Sequence, residues 1–214
     1  MNIDLIETLK EKYIEFDYLF EKEFCNRIIQ YGIISGNNKV LFIKPGQNGT
    51  LIGYNEKYFK LAKYINMKYG FTIVCTNNSY DGINDPLLDG VEVIDSFMQF
   101  KNFREYEIYY YGNSNGAVLG ARNGYKYPKI KRMLLVNPPL FISYHKIQNG
   151  INKFNGDKMV FIFGELDPSF KYVELLDLLK SDILSYHIIK GEDHNLSGGT
   201  VRLEDLVETY LIDF

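Results

Sequence analysis

The chain has 214 residues, 46% of them hydrophobic and 24% charged, with a formal net charge of −3 at pH 7. That length and balance point to one soluble globular domain with room for a sizeable core. They offer no basic face for nucleic acid and no run of about 18 apolar residues for a membrane span.

The amino terminus, "MNIDLIETLKEKYIEF", is charged throughout and lacks the apolar centre of a signal peptide. Cys25 and Cys75 stand far apart and are expected to stay reduced, so the cytoplasm is the expected location. Within residues 3–24, Ile3, Ile6, Leu9 and Tyr13 fit a helical stripe that the following aromatic run blurs. Residues 1–26 are expected to add an edge hairpin or a helix to a single domain spanning 1–214. "RIIQYGIIS" and "KVLFIKPG" flank "GNN", which predicts a hairpin around a Gly-Asn turn.

From there strands and helices alternate. Residues 39–44 read as a strand ending in Pro-Gly, 55–70 as an amphipathic helix stopped by Gly70, and 71–76 as a strand. A helix over 87–103, tolerating Gly90, precedes a strand over 106–112. Residues 115–128 start as a helix, 130–139 hold a strand, and 157–167 form a strand with a loop. A helix over 170–181, a strand with a loop over 184–194 and a closing helix over 202–214 follow. Most of the strands are continuous apolar runs, as strands buried on both faces must be. The predicted fold is an α/β/α three-layer sandwich with a mostly parallel sheet.

In such sheets ligands bind at the carboxyl ends of the strands. The strand "YEIYYYG" ends in "GNSNG", which places Ser114 between two glycines at a strand-to-helix joint. This spacing suits a tight turn that holds a serine hydroxyl above the sheet, near a helix N-terminus that favours developing negative charge. The competing reading is a glycine-rich turn with an idle serine.

A serine hydroxyl becomes a useful nucleophile when a base takes its proton, and that base is ordinarily a histidine oriented by a carboxylate. The chain has three histidines. His187 lies inside "LSYHIIK" and reads as a packed or half-exposed strand residue. His145 follows "NPPLFISY" and reads as a residue that lines the site. His194, in the polar loop "KGEDHNLSGG", is the base by position. For the acid, "FGELDP" offers Asp167, with Glu165 as the alternative and a plain helix N-cap as the competing role for Asp167.

Ser114, Asp167 and His194 thus follow three separate strands in the order Ser, Asp, His. With "GNSNG" as nucleophile turn, "FGELDP" as acid loop, "GEDH" as histidine loop and "FIKPGQNG" as oxyanion loop, residues 39–214 resemble the α/β-hydrolase superfamily. The resemblance implies an oxyanion hole made by the backbone N–H groups of Asn115 and Gln47. This chain has Pro45-Gly46 where many relatives have His-Gly. Only "PPLFISYHKIQNGINKFNG" occupies the place of the usual cap, with room for a loop and one short helix. An open site is expected, with Pro138, Leu140, Phe141, Tyr144 and His145 as candidates for its wall.

The resemblance implies a serine hydrolase acting on a small-molecule ester or thioester, with no cofactor and no metal. A catalytically silent binding protein and an acyltransferase with the same three residues remain as alternatives. Other motifs carry less. "KPGQNGT" fails the phosphate-loop pattern, and Asp81, Asp85 and Asp89 do not have calcium-loop spacing. Cys75 reads as a packed core thiol, residues 126–132 as a solvated basic turn, and no Cys/His spacing suits zinc. Oligomeric state is not encoded in any of these patterns.

Overall fold

A computed structural model of the chain describes residues 15–24, 27–79, 85–179 and 181–213. The stripe of Ile3, Ile6, Leu9 and Tyr13, together with Cys25 and Asp81, lies outside them. The described residues form the expected α/β/α architecture, with eight strands in a mostly parallel sheet. The chain divides into two compact units, one running to Ile108 and one from Tyr109 to Phe214.

The first unit holds β1 (Tyr18–Phe24), β2 (Arg27–Ile34), β3 (Lys39–Lys44) and β4 (Thr72–Thr76), in the order β1-β2-β4-β3. Val40 to Ile43 and Ile73 to Cys75 have no exposed surface, which explains their uninterrupted apolar character. Cys75 carries no disulfide. Helix α1 (Lys57–Tyr69) buries Tyr58, Phe59, Leu61, Ala62 and Ile65, and Gly70 ends it at φ 70° while donating to Asn66 O. Helix α2 (Pro86–Phe100) starts at Asp85, whose carboxylate accepts the Leu87 N–H, with Pro86 at the first helical position. Gly90 is required by packing, because a Cβ there would stand 2.2 Å from the Phe42 ring.

The hairpin expected from "RIIQYGIIS" and "KVLFIKPG" does not form. β2 pairs antiparallel with β1 and with β4, and β3 pairs parallel with β4. The "GNN" turn is engaged elsewhere. Asn37 N–H donates to Gly70 O at 2.6 Å, and Thr72 Oγ1 accepts the Gly36 N–H while donating to Asn37 O. The turn is therefore fastened to the head of β4, which lies between β2 and β3. The hairpin at this edge is β1 with β2, in register from Tyr18↔Ile33 to Phe24↔Arg27.

In the second unit the order is β5-β6-β7-β8. These strands are β5 (Glu107–Asn113, whose first two residues belong to the first unit), β6 (Ile130–Val136), β7 (Lys158–Gly164) and β8 (Leu184–Ile189). β6, β7 and β8 run parallel. Helix α3 (Asn115–Asn123) follows β5, and Gly120 lets it settle on Tyr110, whose ring a Cβ would meet at 2.4 Å. Between β6 and β7 stand a 3-10 turn (Leu140–Ile142) and helix α4 (Tyr144–Lys153), the loop and short helix anticipated in place of a cap.

Two expected helices take other forms. Residues 168–175 form a 3-10 helix, closed by i→i+3 bonds such as Phe170 N–H to Asp167 O and Leu176 N–H to Val173 O. The closing helix is a short α5 (Leu203–Val207) that runs into a π turn, Glu208–Ile212.

Lys44 and Asp89 are buried in the first unit, with Lys44 Nζ donating to Asn77 O at 3.1 Å. Burial pushes Lys44 down to about 7 and Asp89 up to about 6. For Lys44 the unfolded chain holds the proton more tightly, so stability rises with pH above about 7; for Asp89 the folded chain does, so stability falls as pH rises toward about 6. Lys44→Met removes the first effect. Urea titrations should show the wild type gaining about 1–2 kcal/mol relative to Lys44→Met between pH 7 and pH 8.5.

Candidate active site

β5 ends in Asn113, and Ser114 turns the chain into α3 with φ 52° and ψ −116°, a region that residues with a side chain rarely adopt. Three contacts hold it there. Ser114 N–H donates to Val136 O at 2.7 Å, Val118 N–H donates to Ser114 O at 3.1 Å, and Tyr110 Oη donates to Gly116 O at 2.6 Å. Gly112 has no alternative, since a Cβ would lie 2.8 Å from Ala117 Cα, Ala117 N and Gly116 C. Asn115 opens α3, so its N–H lies in the first helical turn, where amide groups face the N-terminal end.

Asp167 follows β7 and is 3% exposed. One carboxylate oxygen, Oδ1, accepts the Ser169 N–H at 2.5 Å and caps the 3-10 helix. The other, Oδ2, accepts from His194 Nδ1. The cap and the contact with the histidine do not exclude each other, since each uses a different oxygen. Glu165, the alternative acid, accepts the Gly191 N–H instead.

His194 lies beyond β8. With Nδ1 donating to Asp167, Nε2 is left as the acceptor facing Ser114 Oγ at 3.0 Å. The ring is therefore in the tautomer and position needed to take the serine proton.

The loop that carries His194 is built by the two acids before it. Glu192 is fully buried; its Oε1 accepts the Thr200 N–H and hydroxyl at 2.7 Å, and its Oε2 accepts the Gly198 N–H at 2.8 Å. Burial alone would raise the Glu192 carboxyl, but these bonds outweigh it and hold it below its ordinary value. Asp193 accepts the Ser197 hydroxyl and the N–H groups of Ser197 and Asn195, and the Ser197 hydroxyl is the main reason its carboxyl is also lowered. The acid loop is laced to the same segment. Leu166 N–H donates to Glu192 O at 2.9 Å, and a Cβ on Gly164 would stand 2.4 Å from that oxygen. The sequence reading passed over Glu192 and Asp193. Their signal was two short acids inside a Gly/Ser-rich loop, where such side chains commonly fold the chain by accepting its N–H groups.

The remaining candidates fall as follows. His187 is half-buried on β8, its ring 4.4 Å from that of Tyr210, and burial lowers its pKa. Leu140 is fully buried and belongs to the core. Phe141 is 56% exposed, with its ring 5.0 Å from that of Tyr172. Tyr144 Oη donates to Leu175 O at 3.0 Å, and His145 is exposed. Gln47 lies in the first unit, exposed in a turn closed by Gly49 N–H to Gly46 O and braced by Asn78 Nδ2 to Pro45 O. Among the described residues no group of three or more His, Cys, Asp or Glu is arranged to hold a metal, and no helix is long and apolar enough to cross a membrane.

No protein-family model and no curated sequence matches this chain. Solved structures do. An alpha-beta serine hydrolase homologue from Coxiella burnetii superposes with a TM-score of 0.65 at 19% identity, over 91% of this chain and 97% of its own. An esterase from Pyrococcus furiosus gives 0.67 at 13% identity, over 90% and 92%. A thioesterase domain from the curacin biosynthetic pathway gives 0.61 at 12% identity, over 89% and 99%. This chain has the α/β-hydrolase fold. Within that fold Ser114, Asp167 and His194 follow β5, β7 and β8, each at a carboxyl end.

Two outcomes test this geometry. Gly112→Ala forces a Cβ onto the backbone of α3 and should cost about 1–3 kcal/mol in thermal or urea unfolding. Because Glu192 and Asp193 are both lowered, the stability they add is lost as pH falls through their folded values. The protection factors of amides in the loop 190–200, taken against the intrinsic rate at each pH, should therefore fall below about pH 4 before those of β6 and β7 do.

Proposed function

We propose that the chain is a serine hydrolase that cleaves a carboxylic ester or thioester of a small molecule through an acyl-enzyme. The observation that carries this reading is the hydrogen-bonded line from Ser114 Oγ through the His194 ring to Asp167. Ser114 attacks the acyl carbonyl while His194 Nε2 accepts its proton. His194 then delivers that proton to the leaving group, and Asp167 stabilises the imidazolium without becoming protonated. Water repeats the sequence to release the acid. The Asn115 N–H, in the first turn of α3, is the proposed donor to the oxyanion. The exposed faces of Phe141, Tyr144 and His145 are proposed to border the acyl chain. The esterase and thioesterase that share this fold support the choice of ester and thioester substrates.

The test is hydrolysis of a panel of p-nitrophenyl esters and acyl thioesters. Ser114→Ala should lose about 10⁶-fold in kcat, keeping only the residual rate that binding and oxyanion stabilisation supply. Asp167→Asn should lose about 10³–10⁴-fold in kcat, as loss of the correct tautomer does in such triads. Full turnover by folded Ser114→Ala would contradict the reading.

A further inference from the structure

β6 ends at Val136, and the next residue, Asn137, is fully buried with φ 48°. Its side chain makes three hydrogen bonds. Oδ1 accepts the Gly164 N–H at 2.8 Å, while Nδ2 donates to Asp193 O at 3.1 Å and to His194 O at 3.0 Å. The amide can sit only this way round, because the Gly164 N–H requires an acceptor and the two carbonyls require donors. The backbone adds two more ties. Asn137 N–H donates to Ile162 O at 2.8 Å, and Val136 O accepts the Ser114 N–H at 2.7 Å. The dipeptide Val136-Asn137 therefore touches the nucleophile turn, the end of β7 that launches the acid loop, and the histidine loop itself.

The residue type fits this place closely. Asparagine tolerates a left-handed backbone better than most side chains. Aspartate would set a carboxylate oxygen against two carbonyls, and glycine would keep the backbone but leave the buried Gly164 N–H without its acceptor. Glu192 and Asp193 shape the histidine loop from within. Asn137 joins the backbone of that loop, at the Asp193 and His194 carbonyls, to Gly164 at the end of β7.

We propose that Asn137 is a positioning residue that sets the His194 ring against both Asp167 and Ser114 by fixing the backbone carbonyls of residues 193 and 194. Its effect on catalysis rests on the serine-hydrolase reading; its effect on the His194–Asp167 contact does not.

The test uses the full chain as wild type, Asn137→Gly and Asn137→Asp, with Asp167→Asn to assign the downfield proton resonance of His194 Nδ1–H. Unfolding midpoints and circular dichroism establish that each variant is folded at the temperature used. The expected result is loss or strong broadening of that resonance in folded Asn137→Gly and Asn137→Asp. Labelling by a fluorophosphonate probe should slow about ten- to a hundredfold, since a misplacement of about 1 Å is enough for that. If one variant does not fold, the other carries the test. Variants that are less stable yet keep the resonance and label within twofold of wild type would overturn the proposal, because Asn137 would then be purely structural. A wild type that shows the resonance but takes no label would count against the hydrolase reading, and the resonance in the variants would still decide the role of Asn137.

Discussion

A serine held at φ 52° and ψ −116° is a costly element, and the second unit is arranged around keeping it there. Such a conformation is disfavoured by about 1–3 kcal/mol and persists only where the surroundings over-determine it. Here they do so from three sides. Gly112 yields the space where a Cβ would strike α3, Tyr110 fixes the first turn of that helix from below, and Val136 O accepts the Ser114 N–H. The outcome is a hydroxyl lifted off the sheet at the N-terminus of a helix, where His194 can reach it.

The acid and histidine loops follow a shared logic, in which carboxylates are placed by what they accept. Asp167 divides its two oxygens between the Ser169 N–H and the His194 ring, so the carboxylate that meets the imidazole is itself fixed by the helix it caps. Glu192 is buried because both its oxygens are occupied by donors from residues 198 and 200; a buried carboxylate without such partners would be far too costly. The loop carrying His194 is therefore folded by polar contacts and not by apolar burial. Glu192 and Asp193 make the loop sensitive to acid, since protonating them weakens the acceptors on which it is folded.

Much of the fold was legible in the sequence because β3 to β7 are largely buried on both faces. Continuous apolar runs such as "VLFI", "MLLV" and "MVFIF" can be little else once helical periods lie between them. Partners were harder to read than elements. "RIIQYGIIS" was recognisable as a strand, but its pairing with β1 and β4 depends on Thr72 and Gly70 holding the "GNN" turn, a contact between distant residues. The capping pattern at Asp167-Pro168 was visible, whereas the 3-10 geometry after it was not, because helical spacing alone does not distinguish i→i+3 from i→i+4 closure. Ser114, Asp167 and His194 could be singled out because each follows a strand in a polar loop. Asn137 could not, because what it does is set by backbone atoms remote in sequence, whereas Glu192 takes its partners from Gly198 and Thr200 within its own loop. Leu140 looked like a wall residue by position, but it is turned wholly into the core.

The central claim is that Ser114 is an activated nucleophile, and covalent capture tests it most directly. Native protein would be treated with a fluorophosphonate, its intact mass measured, and the modified peptide sequenced. The account predicts a single adduct on Ser114 that forms in folded protein and is abolished by prior unfolding. A folded chain that takes no adduct, or carries it on another residue, would contradict it.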